Sequence, residues 1–199
     1  MDGPTLLESF KLDDDTKATI TKCIRRKDFE WSEAFFLSIL EAPRTKMEVY
    51  WTVLALRDCG TAASVPALKE LLYFPKQDVK ACSVLTIALI AGASESKLYG
   101  DLLLDPKYSE KGYAMWAIAA VADHRAIDAV VAYFRKNTGK IRRGELCSGA
   151  VGDGIEFLGR YISGRPDVLM LLQDIWSNRH KLPPADVARL EAVSGLPRT

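Results

Sequence analysis

The chain has 199 residues, 48% hydrophobic and 27% charged, a balance that fits an ordinary globular protein and excludes a disordered or membrane-dominated one. Lys and Arg number 27 against 26 Asp and Glu, leaving a net charge of +1. That excludes the broad basic excess with which nucleic-acid binders displace counterions, so any electrostatic function must be local.

The opening MDGPTLLESFKLDDD places no basic segment ahead of an apolar core, so no secretory signal is expected and the chain reads as cytoplasmic. The longest apolar run, 84–93, is about half the ~20 residues a membrane span needs, and predicts a buried helix. Cys23, Cys59, Cys82 and Cys147 are widely spaced without a C-x-x-C, which points to reduced core thiols in place of a disulfide or metal site.

In chain order, 13–26 carries acids in its first turn and bases in its last, as the helix macrodipole prefers, and predicts a capping helix. Ser32 is placed to cap a helix that runs to about Glu41, before Pro43. The segment 47–59 is apolar nearly all round, so it should be sandwiched between helices until Gly60 ends it. A helix over 65–73 closes at Pro75, and Asp78 can cap the next. Helices follow near 78–91, 96–104, 109–122 and 125–136. Thr138, Gly139 and Lys140 then predict a longer loop. Beyond it, a helix containing Gly149, Gly152, Gly154 and Gly159 must be broken near 152–154 or lie unusually close to a neighbour, because each interior glycine costs up to ~1 kcal/mol. A final pair spans 167–177 and 185–193, separated by Pro183 and Pro184. No segment alternates apolar and polar long enough to predict a strand.

The stretch 78–135 reads as a two-helix unit that stops and restarts. Pro75 falls against Pro106, Ile87 and Ala88 against Ile118 and Ala119, and Gly92 against Asp123, at a shift of about 31 residues. An earlier copy sets Pro43 against Pro75 and Gly60 against Gly92 at a shift of about 32. Such periods mean stacked helix pairs, and the whole chain is expected to form one domain, with capping helices at about 5–30, repeats at about 31–165 and a closing pair at about 166–195.

These residues resemble HEAT-like repeats of the short bacterial kind found in phycobilin lyase subunits. Asp78, Val79 and Lys80 match the family's Asp-Val-Arg helix start, with Lys80 in the Arg position. Asp123, His124, Arg125, Ala126, Ile127, Ala129 and Val130 match its turn and second helix, as do Ser64, Val65, Pro66, Ala67 and Leu68. The resemblance covers 31–136 well and 140–194 poorly. It implies an all-α, right-handed solenoid of about five helix pairs whose second helices line a concave wall. It carries no single activity, since adaptors, lyase subunits, alkylpurine DNA glycosylases and toxin inhibitors share the architecture.

Catalytic chemistry is sparse. With only His124 and His180, no histidine metal cluster can be assembled, and the His-Glu dyads of HEAT-like deoxyhypusine hydroxylases are absent. The run from Gly149 to Gly154 lacks both the preceding strand and the Gly-Lys-Ser/Thr of a phosphate loop. Arg135, Lys136, Lys140, Arg142 and Arg143 form the strongest single-sign cluster, either a solvated loop or a docking site for an acidic surface or a phosphate backbone. Trp51, Tyr113 and Trp116 are read as lying on second helices, where exposed aromatics would anchor an interface.

The expectation is therefore a non-enzymatic scaffold that binds a protein partner, most specifically a bacterial immunity-type inhibitor covering a toxin domain. Contact is expected at Trp51, Arg57, Lys80, Tyr113, Trp116, Arg142, Arg143, Asp153 and Glu156. No catalytic, cofactor or metal residue is assigned, and neither nucleic acid nor membrane is an expected partner. A glycosylase using Asp153 or Glu156 as its acid, and a lyase-like subunit with an apolar chromophore pocket, are the alternatives.

Overall fold

The computed structural model describes residues 33–43, 45–146, 149–193 and 196, and among them all regular structure is helical, with no strand. The expected helix at 13–26, the capping segment at 5–30, Ser32, Cys23 and Cys147 lie outside the described residues. Two compact units meet at Gly92 and Ala93, where the sequence suggests one continuous array.

The first unit contains α1 (Glu33–Glu41), α2 (Lys46–Cys59), α3 (Val65–Glu70) and α4 (Gln77–Ala91), with single 3-10 turns at Ala62–Ser64 and Leu71–Tyr73. Thr45 caps α2 by accepting from the Glu48 amide at 3.0 Å. The expected sandwiching of α2 is borne out: it packs against α1 and α4, and Val49, Val53, Ala55 and Leu56 are all buried. Gly60 follows because a Cβ there would lie 2.5 Å from the Leu56 carbonyl oxygen and 2.8 Å from Ile90 Cδ1. The Glu33 carboxylate at the start of α1 gathers the next turn, accepting from the Thr61 amide at 2.7 Å, from the Thr61 hydroxyl at 2.8 Å and from the Ser64 hydroxyl.

Asp78 is not the cap of α4. The N-cap is Lys76, and Asp78 sits in the first turn, where its charge still complements the macrodipole. Gly92 ends this helix with φ +52°, a conformation in which a Cβ crowds the backbone.

The second unit contains α5 (Ser96–Leu104), α6 (Lys111–Val121), α7 (Ile127–Arg142), α8 (Ala150–Gly159), α9 (Pro166–Ser177) and α10 (Pro184–Glu191). Alternate helices pack: α5 on α7 and α7 on α9, and likewise α6 on α8 and α8 on α10. Two rows result, α5, α7 and α9 in one and α6, α8 and α10 in the other. The turn before α7 is fastened to α5, because the Asp123 carboxylate accepts from the Ser96 hydroxyl at 2.6 Å and from the Arg125 amide at 3.0 Å.

Two expectations are corrected in this unit. Thr138, Gly139 and Lys140 form no loop; α7 runs through them to Arg142. Asn137 and Thr138 donate back to the Tyr133 and Phe134 carbonyls at 2.8 and 3.0 Å, so polar side chains that often leave a helix bind along this one. The glycine-rich helix is unbroken from Ala150 to Gly159, and close approach explains it. A Cβ on Gly154 would lie 2.5 Å from Phe134 Cε2 and 3.1 Å from Met115 Cε, and one on Gly152 would strike Arg189 and Asp186.

The stretch Gln77–Leu104 is long and apolar enough to cross a membrane by length and composition, longer than the run at 84–93 suggests, and 44% of its most apolar window is buried. Its helices are separated by the 3-10 turn Gly92–Glu95.

Candidate functional site

The largest exposed aromatic side chains of the second unit lie on α6. Every third or fourth residue of that helix faces out, giving a row of Tyr113, Trp116 and Ala120, while Ala114, Met115, Ala117 and Ile118 fill the core. Tyr113 is 42% exposed and Trp116 38%, uncommon for tryptophan, which is usually mostly buried. Gly112 faces the Ala150 amide, Gly154 faces Met115, and the Arg160 guanidinium donates to the Ala119 carbonyl at 3.1 Å. These contacts ascend both helices together, so α6 and α8 run in the same direction and their outer rows lie side by side.

The outer row of α8 is charged. Glu156 accepts from Arg160 at 2.8 Å on the exposed face. Asp153, half-buried, accepts from Arg189 of α10 at 2.9 Å. Burial raises the Asp153 and Asp186 carboxyls despite the opposing pull of Arg189; the charge of Glu156 adds to the rise at Asp153, and that of Asp153 to the rise at Asp186. Tyr161 donates its hydroxyl to the carbonyl of Ala122, the residue that ends α6 at φ +54°. The last carbonyls of α6 are thus satisfied by residues at the end of α8, which fixes the two rows against each other.

The expected contact residues therefore separate. Tyr113 and Trp116 lie on the outer row of α6, and Asp153 and Glu156 on the outer row of the adjacent α8. Arg142 and Arg143 lie at the far end of α7, bound to Asp174 at 2.6 Å and Glu145 at 2.7 Å. Trp51, Arg57 and Lys80 belong to the first unit and are half-buried. The Trp51 indole nitrogen is buried without a hydrogen-bond partner among the described residues, and its ring meets Tyr50 edge-on at 5.2 Å.

The placement of aromatics on second helices is corrected. Trp51 lies on α2, and Tyr113 and Trp116 on α6, each the opening helix of its pair. The two acids a glycosylase would use are each held by an arginine, so neither stands open as a free acid.

The basic cluster lies on a helix, and its five cations are not alike. Arg142 and Arg143 are paired, and Arg135 stands 3.9 Å from Asp167. Lys136 and Lys140 form no ion pair among the described residues. They line a cleft of about 250 Å³ with Lys111 and Tyr133, under the end of α5. Sequence reasoning missed Lys111, which lies 25 positions before Lys136 and reads as an ordinary surface residue at a helix start. A broader depression of about 530 Å³ lies beside α10, where Arg179 stacks over Trp176 at 4.4 Å.

Among the described residues no three His, Cys, Asp or Glu side chains are placed to hold a metal. Cys59 and Cys82 are free thiols, both pushed up to about 11, chiefly by burial. The fold and this surface define an all-α protein with a mixed aromatic and charged face. Compared with family models, curated proteins and solved structures, the chain matches none.

Proposed function

We propose that this chain is a non-catalytic binding module that grips a protein partner, with Tyr113 and Trp116 as anchors and Asp153, Glu156 and Arg160 as the surrounding charged rim. The observation that carries this reading is the outward row of two large aromatics on α6, beside a charged row held in place by ion pairs. Aromatics with a polar surround are the usual composition of an energetic interface centre, because a large rigid side chain buries much area for little conformational entropy. The near-neutral charge favours a protein surface over a phosphate backbone.

The finer form of the reading is a right-handed solenoid of HEAT-like helix pairs acting in the bacterial cytoplasm as an immunity-type inhibitor that covers a toxin domain. Its support is the packing of alternate helices within the second unit and the period of about 31 residues in the sequence. The test is co-expression with the product of the neighbouring reading frame and purification through a tag on this chain. A stoichiometric complex that dissociates when Tyr113 and Trp116 are replaced by alanine supports the proposal. A complex indifferent to both substitutions sinks it.

A further inference from the structure

The cleft bounded by α5, α6 and α7 is lined by none of the residues assigned to the proposed partner contact. Its polar lining consists of Lys111, Lys136, Asn137 and Lys140, and no carboxylate lines it. Lys136 and Lys140 are four residues apart on one helix face, an arrangement of like charges that weakens a helix unless something offsets it. The arginines that follow have their own carboxylates. Glu145 lies within the field of Lys140, but both its oxygens accept from Arg143 at 2.7 Å.

Lys111 is held in place. Its ammonium donates to the Leu102 carbonyl at 2.7 Å and to the Asp105 carbonyl, closing the end of α5. Burial depresses its pKa, Asp105 opposes the shift and the charge of Lys136 adds to it. The Asn137 amide is turned back onto the Tyr133 carbonyl at 2.8 Å, and the other lining residues are the buried Leu103 and Tyr133 with Leu104, Pro106 and Leu146.

We infer that this cleft binds a small phosphate monoester, with the phosphate between Lys136, Lys140 and Lys111 and its organic part against Leu104, Pro106 and Leu146. A phosphate monoester carries about −1.5 to −2 charges at pH 7, which suits a cleft lined by three lysines better than a single carboxylate does. The volume of about 250 Å³ admits one such group with a short body and excludes a polymer backbone.

The test uses the full chain and phenyl phosphate, followed by amide chemical shifts at constant ionic strength, with inorganic phosphate and benzoate as comparison ligands. Phenyl phosphate is expected to saturate, to bind more tightly than either comparison ligand, and to lose about tenfold or more in affinity in Lys136→Gln/Lys140→Gln. Both lysines are exposed, so the double variant should keep the melting temperature of the parent, which is measured alongside. Absence of saturation, unchanged affinity in the variant, or equal binding of inorganic phosphate or benzoate would overturn the inference. None of these results bears on the aromatic face, whose residues are left intact.

Discussion

Replacing Gly154 by alanine should destabilise the second unit, whereas the same change at Gly139 should stabilise it. Both glycines lie inside helices, so alanine returns up to ~1 kcal/mol of helix propensity at each. At Gly154 the new methyl would lie 2.5 and 2.8 Å from the Phe134 ring and 3.1 Å from Met115 Cε. Carbon atoms prefer about 3.5–4.0 Å, so the ring must retreat by about 1 Å. Phe134 and Met115 are both fully buried and have nowhere to go. Overpacking costs about 1–3 kcal/mol, and with both neighbours immobile the upper part, about 2–3 kcal/mol, applies; less ~1 kcal/mol of regained propensity, the net loss is about 1–2 kcal/mol. At roughly 2–4 °C per kcal/mol for a chain of this size, the midpoint should fall by about 2–8 °C. At Gly139 the nearest atom is the end of the exposed Arg143 guanidinium at 3.3 Å, which can swing away. A gain of about 0.5–1 kcal/mol should raise the midpoint by about 1–4 °C. Thermal unfolding followed by far-UV circular dichroism reads both. A Gly154→Ala variant as stable as the parent would refute the close approach of α8 to Phe134. A Gly139→Ala variant less stable than the parent would restore the loop and remove the helix from that position.

Three further outcomes follow from the ion pairs and thiols. Hydrogen bonds from Arg165 hold the Asp167 carboxyl down at about 2, so its contribution is present above the unfolded aspartate value of ~3.9 and is lost as pH falls towards about 2; the melting curves of the parent and Asp167→Asn should differ at neutral pH and converge in acid. Arg189→Met leaves Asp153 and Asp186, already raised by burial, facing each other without a cation. The raised carboxyls favour the folded state only while protonated, so the variant should lose about 1–2 kcal/mol at neutral pH and recover as pH falls; equal losses at neutral and acid pH would contradict this. At about 11, Cys59 and Cys82 hold a thiolate fraction of about one in a thousand at pH 8, against about one in four for an ordinary thiol. Alkylation in a Cys23→Ser/Cys147→Ser background should therefore be at least about a hundredfold slower in the folded chain than in urea.

Where helices are bounded by local chemistry, their positions were legible in the sequence. The span 96–104 ends at Asp105 and Pro106, and α5 occupies Ser96–Leu104. The expected span 167–177 likewise matches α9, Pro166–Ser177, to within a residue. The misread segments depend on side-chain contacts that residue types alone do not announce, some of them with residues far away in the chain. Gly139 looks like a turn residue until Tyr133 and Phe134 are seen accepting bonds from the side chains just before it. Gly154 is explained by Phe134, twenty positions earlier, and Gly152 by Arg189, much later. The same holds for the surface. The basic cluster was visible as a cluster, but which of its cations are paired depends on Asp174 and Glu145, and the cleft depends on Lys111. Aromatic exposure was the least legible feature, because tryptophan at an apolar helical position fits core and interface equally well.

The central claim is that the α6 row anchors a protein partner. Calorimetric titration of the purified chain with the product of its neighbouring reading frame tests it most directly, comparing the parent with Tyr113→Ala/Trp116→Ala. The account predicts saturable one-to-one binding, weakened by about thirtyfold or more in the double variant, as the loss of an interface centre worth at least about 2 kcal/mol requires. Binding of equal affinity in both proteins would contradict it.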